Sequence, residues 1–228
     1  MAAKVAPEAK GVITEEIPRG HETEMTRRNG GHARRELLWQ HLPMIERKQR
    51  LPMRDLGQLT GEDADTAAKN RLGGRDLNIF RVMMNHPKLT RRWTVFAGHV
   101  LQKQTLPVRD RELLILRIGW LNQAEYEWAQ HVEIAKRAGI TEAEIERVKQ
   151  GPGAGWNALE AALLKAADEL FENSVISDAT WATLAAKYST EQMMDVVFTI
   201  GQYNLVSWAL NSFGVPLDDF LPGAKTKK

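Results

Sequence analysis

Between Arg75 and Phe213 apolar residues return every three or four positions, and no segment alternates convincingly at period two. A strand sends successive side chains to opposite faces, whereas a helix stacks positions i, i+3, i+4 and i+7 on one face. That spacing confines the chain to helices packed on helices, an all-α bundle. Leu77, Ile79, Phe80, Met83 and Met84 form one stripe, which Asn85-His86-Pro87 ends while opening the next helix, because proline is tolerated at a helix start. Leu89, Trp93, Phe96, Ala97 and Val100 continue the pattern. Pro107 opens a helix carrying Leu113, Leu114, Leu116, Ile118 and Trp120, and Leu121-Asn122-Gln123 is the expected bend before a helix over 124–138 that Gly139 closes. The pairs Thr141/Glu144 and Ser189/Gln192 are capping-box signatures. They frame expected helices over 141–150, 156–173, 178–187 and 191–213. The last is apolar on several faces, through Val196, Val197, Ile200, Leu205, Trp208 and Leu210, which places it at a bundle centre or a subunit contact.

The pattern also divides the chain. Residues 1–31 mix Pro7, Pro18, Gly11, Gly20, Gly30 and Gly31 with charges and read as a flexible arm. Residues 32–74 read as a helical extension, with a helix over 32–50 that Pro43 interrupts and a polar connection over 51–74 holding at most a short helical turn. The bundle domain is expected over 75–222 and a basic tail over 223–228. Gly151-Pro152-Gly153-Ala154-Gly155 is a linker; its glycines lack the preceding strand that a phosphate loop requires.

Several function classes fall away on composition. The 31 Lys and Arg are balanced by 29 Asp and Glu without a concentrated basic face, so no nucleic-acid partner is expected. No run reaches the roughly 18 apolar residues of a membrane span and the start lacks a signal-peptide core, so no membrane partner and a cytoplasmic location are expected. With no cysteine, thiolate nucleophiles, disulfides and Cys-ligated zinc are excluded.

What remains is acid–base chemistry. Glu127 and His131 stand four residues apart, so both leave the same helix face, and a carboxylate beside an imidazole fixes its tautomer and raises its pKa. Alone, such a pair is an ordinary surface contact. If the bend at 121–123 makes the two helices antiparallel, Glu112 reaches the same turn, and two carboxylates around one histidine make a site. Glu127 and His131 also have metal-ligand spacing, but no HExxH motif or second histidine cluster accompanies them, so neither a metal nor another cofactor is expected.

These residues carry a resemblance. The order Leu106-Pro107-x-Arg109-x-Arg111-Glu112-Leu113, then Tyr126-Glu127-Trp128 and His131, then Ala138-Gly139-Ile140-Thr141 with Glu144-Ile145, resembles the carboxymuconolactone decarboxylase family. Ala166-Ala167-Asp168-Glu169-Leu170 and Gly201-Gln202-Tyr203 look like its longer members, extending the likeness over roughly residues 78–219. The resemblance implies an AhpD-like helical bundle assembled as a homotrimer or homohexamer. Its peroxide-reducing branch places two cysteines where this chain has Ala124 and Glu127, so that chemistry is disfavoured. The decarboxylase branch, with a glutamate four residues before the histidine, implies cofactor-free loss of CO2 from a lactone acid of aromatic catabolism. Glu112, Glu127 and His131 are the candidate catalytic residues. Arg109, Arg111 and Arg117 are candidate carboxylate binders, Arg117 first because it lies within an apolar stripe. His99, Tyr126 and Tyr203 are the remaining candidate substrate-binding residues. The alternative is a helical binding or scaffold protein that keeps the fold without activity.

Overall fold

The computed structural model describes residues 47–224, and the arm, the start of the extension and the last four residues lie outside that range. The helices expected from Arg75 onward all form. In order they are α1 (Gly61–Lys69), α2 (Asn78–Met83), α3 (Pro87–Gln102), α4 (Val108–Leu121), α5 (Glu125–Arg137), α6 (Glu142–Gln150), α7 (Ala158–Asn173), α8 (Asp178–Ala185) and α9 (Thr190–Phe213). Among the described residues the sole β feature is one bridge between Leu72 and Arg75. Both capping boxes are made as their spacing predicts, at Thr141/Glu144 and Ser189/Gln192.

Helix α4 is the axis of the bundle. Every residue from Asp110 to Trp120 is buried, and α5, α7 and α9 pack around it. Leu114, Ile115 and Ile118 join Leu163, Ala166, Val196 and Ile200 in the larger core, while Leu113 and Leu116 face Ile140, Ile145 and Val148 in a second one. Burying each large aliphatic side chain contributes about 1.5–3 kcal/mol, so these two clusters supply much of the drive to fold. The bend after α4 brings Gln123 to a φ of 52°, and Ala124 N–H closes on the Gly119 carbonyl at 3.0 Å. The reversal lays α5 alongside α4.

Two expectations need correction. Residues 51–74 hold a 3₁₀ turn over Leu56–Gln58 and the nine-residue α1, where only a short turn was expected. Helix α1 buries only Thr66 and Ala67, too little apolar surface for a periodic signal. The part of the expected 32–50 helix that is described, residues 47–50, is not helical. Its backbone instead lies on the end of α9: Arg50 N–H donates to the Phe213 carbonyl at 2.8 Å, and a Cβ on Gly214, at φ 64°, would collide with the Lys48 carbonyl.

Arg117 corrects a different kind of expectation, the role of a residue. It is buried against Asp168 on α7, Nε and Nη2 donating to the two carboxylate oxygens at 2.5 and 3.0 Å. Its Nη1 donates to the Val148 and Lys149 carbonyls at the end of α6, at 3.0 and 3.1 Å. The guanidinium lies 3.0 Å from where a Cβ on Gly151 would stand, so glycine there leaves it room. With each guanidinium nitrogen bonded to protein, Arg117 fastens three helices and has no free fork to offer a substrate. Removing one partner of a buried pair strands the other charge at a cost of about 3–5 kcal/mol. Asp168→Ala is therefore expected to lower unfolding free energy by that amount in urea denaturation.

Candidate active site

The antiparallel pairing of α4 and α5 does what the sequence left conditional. Glu112, fully buried on α4, sends Oε2 to within 2.7 Å of His131 Nδ1, and Glu127 Oε1 lies 3.0 Å from His131 Nε2. Arg111 completes the set, donating from Nε and Nη2 to Glu112 Oε1 at 2.9 and 2.8 Å, and from Nη1 to the Leu101 carbonyl at 2.5 Å. Two cations and two carboxylates thus alternate in one buried chain, which cancels the charge that the core could not otherwise hold.

Burial, the largest influence on His131, opposes its charge, yet Glu112 and Glu127 together outweigh it and raise the pKa from 6.5 to about 10. Burial pushes Glu112 up, but His131 and Arg111 overcome it and hold the carboxyl below its ordinary value. The imidazole is therefore a protonated ring at neutrality, donating one N–H to each glutamate. Tyr203 meets the ring edge-on, with centroids 4.8 Å apart, and burial followed by the two glutamates keeps its phenol protonated.

A cavity of about 240 Å³ opens beside this chain of charges. His131, Glu127, Tyr126 and Tyr203 line it, Glu112 does not, and Leu77, Phe80, Trp93, Leu101, Ile134 and Val206 make its walls largely apolar. Glu112 thus acts from behind the ring while Glu127 stands at the cavity. Lys69, Asn70, Arg71 and Leu72, from the end of α1 and the bridge that follows, also contribute.

The remaining candidates separate. Tyr126 is held at the wall by Asp218, to which its hydroxyl donates at 2.6 Å; Gln130 Nε2 donates to the same oxygen at 2.6 Å, and Asn78 N–H donates to the other at 2.7 Å. Burial raises both the Asp218 carboxyl and the Tyr126 phenol. His99 is the correction here: it lies exposed on α3 and does not line the cavity, because the α3 residues that do, Trp93, Thr94, Ala97, Gly98 and Leu101, occupy another face of that helix. Arg109 is also engaged elsewhere, binding Glu144 and Glu160 at 2.5 and 2.8 Å, where it draws the Glu144 pKa down to about 2. Gln130, Gln202 and Asp218 were not anticipated as site residues. Gln130 sits three residues after Glu127 on the same helix face, a signal available in the sequence; Asp218 reaches the site only through tertiary packing.

Comparison with known proteins places this geometry. Residues 87–169, which include Glu112, Glu127 and His131, match the model of the Carboxymuconolactone decarboxylase family. A search of curated proteins gives no match. Among solved structures the fold is similar to an uncharacterized peroxidase-related protein from Silicibacter sp. TM1040, with TM-score 0.66 and 14% identity over 80% of this chain and 97% of that one. It is also similar to the alkylhydroperoxidase AhpD core of an uncharacterized peroxidase-related protein from Ralstonia eutropha JMP134, with TM-score 0.63 and 18% identity over 78% and 94% of the two chains. A protein of unknown function from Agrobacterium tumefaciens gives TM-score 0.54 and 22% identity over 60% and 94%. At these identities the likeness establishes the AhpD-like fold. Among the described residues no helix is long and apolar enough to cross a membrane.

The charge chain has a measurable consequence. A histidine raised in the folded state adds stability fully present below its unfolded value near 6.5 and lost as pH climbs through about 10. Nitrogen NMR is expected to show His131 doubly protonated well above neutrality. Glu112→Gln, which removes one of the two raising carboxylates, is expected to bring its titration down toward the ordinary histidine range.

Proposed function

We propose that this chain, whose residues 87–169 form a carboxymuconolactone decarboxylase family segment, is a cofactor-independent acid–base lyase acting on a small carboxylated lactone or aromatic ring-cleavage product. The observation that carries this reading is an imidazole clamped between two glutamates on the wall of a small, mostly apolar cavity. The chemistry asks for little more. When the bond to the departing carboxylate breaks, CO2 leaves and its electron pair moves into the conjugated lactone. The resulting carbanionic carbon must then take up a proton. Glu112 retains the Nδ1 proton and fixes the ring, so the Nε2 proton shared with Glu127 is the one delivered; solvent later restores it. The carbanion is far more basic than an imidazole, so a proton held to about pH 10 in the resting site still transfers. The Tyr203 phenol, kept neutral, supports the developing enolate oxygen as a hydrogen-bond donor.

The peroxide-reducing alternative finds no support, because the sequence contains no cysteine to attack a peroxide. His131→Ala is expected to lower turnover by about 10²–10⁴-fold, the usual contribution of a positioned acid, with the helical content and assembly state unchanged. Mass detection of decarboxylated products from a panel of lactone acids and muconate-like acids reads the result. Thermal stabilisation by such acids without any product would instead identify a binding protein.

We also propose self-association through α9. Met194, Phe198, Gly201, Leu205 and Trp208 form an exposed row spaced by alternating fours and threes, and Phe96 of α3 extends it by an edge-on contact with Phe198 at 6.0 Å. Rows of that spacing pack against another helix, and Gly201 at the middle lets two backbones approach. A second copy of this chain is the occupant that such a self-complementary row fits, and a trimer or hexamer is the assembly that the family resemblance implies. Leu205→Glu is expected to yield a monomer in light scattering, while the protein remains folded.

A further inference from the structure

Gln202 is one of the polar residues of the cavity that the acid–base reading leaves unused. It lies on α9 beside Tyr203 and is only 4% exposed. Its side chain lines the same cavity as His131 and Glu127, yet its carboxamide oxygen is buried and accepts no hydrogen bond. Burying an acceptor without a partner is unfavourable, and a bundle packed with leucine and isoleucine at its axis could have placed an apolar residue there at no loss of packing. Among the described residues the side-chain oxygens of Gln104, Gln123 and Gln202 are buried without a partner, and of these three residues only Gln202 lines the cavity. Gln130, which also lines it, is held by protein, its Nε2 donating to Asp218 at 2.6 Å. The last torsion of a glutamine side chain is soft, so a donor arriving in the cavity can draw the oxygen round to meet it.

We infer that Gln202 is a substrate-binding residue that accepts a hydrogen bond from a hydroxyl or enol group of the ligand. This rests on the cavity being the substrate site, and it narrows the ligand to a small oxygenated acid that carries a donor in addition to its carboxylate. A cavity of about 240 Å³ lies just below the roughly 300–1,000 Å³ of sites for larger ligands, which fits a single ring or a ring-cleavage product of similar size. A site with a buried acceptor rejects an analogue that lacks the matching donor, because the acceptor then stays unpaired.

The test uses the full chain and two probes, 4-hydroxybenzoate and benzoate, whose sole difference is the donor. Calorimetric titration is expected to show the hydroxylated acid bound at least about tenfold more tightly, as one hydrogen bond to a buried group implies. In Gln202→Leu that ratio is expected to fall to about one. The ligand-free variant should melt at the same temperature as the wild type or higher, since an unsatisfied acceptor has been removed. A ratio near one in the wild type, failure of both probes to bind, an unchanged ratio in Gln202→Leu, or a lower melting temperature of the ligand-free variant would each overturn the assignment; the last would mean that the amide serves the fold. Because the readout is binding, it is independent of turnover. His131→Ala is expected to keep the preference for the hydroxylated probe, so a protein that shows the preference but never releases CO2 would refute the lyase reading and leave the role of Gln202 standing.

Discussion

The bond between Glu112 and His131 is the contact on which the rest of this structure turns. It joins α4 to α5 inside the bundle, at a position where a lone carboxylate would be driven to protonate. What lets it stay charged is the alternation around it: Arg111 behind the carboxylate, His131 before it, and Glu127 beyond the ring. Each charge lies between groups of opposite sign or is neutralised by the next, so desolvation is offset across the whole chain and by no single pair. Losing any interior member leaves its neighbours exposed to the low dielectric of the core, which makes the four residues one unit.

That arrangement puts the candidate acid–base site on the most buried helix. Helix α4 is buried from Asp110 to Trp120, as a helix at the centre of a bundle has to be, although it carries charged residues. The two polar interruptions in its buried stretch that reach across to other helices, Arg111-Glu112 and Arg117, meet different fates. Arg117 is consumed by Asp168 and by carbonyls at the end of α6, and is a fastening. Glu112 is committed to a histidine that lines a cavity and whose other nitrogen lies 3.0 Å from Glu127. The difference lies in what the partner faces, not in the residue type.

The cavity is assembled from segments distant in sequence. Helices α2, α3 and α5 give its walls, α9 gives Gln202 and Tyr203, and the stretch after α1 gives Lys69 to Leu72. The family match covers residues 87–169 and supplies the acid–base residues, whereas Gln202, Tyr203 and the 69–72 stretch lie outside it. The cavity thus combines residues of the matched segment with residues on either side of it in the chain.

Much of this was legible before any coordinates. Helix positions followed from spacing and caps, because local geometry alone requires apolar residues on one face and satisfied donors at each end. The Glu127 and His131 pair followed from the four-residue repeat of a helix, and the absence of cysteine settled which chemistry was closed. Tertiary structure decided the rest. Only packing could show that Glu112 meets His131, that Arg117 is spoken for, that His99 faces outward, and that Asp218 returns from 92 residues away to hold Tyr126. Sequence spacing reports which side chains share a face of their own helix. It says nothing of which faces meet, because that depends on the direction the chain takes at each turn and on how volumes fill the space between helices.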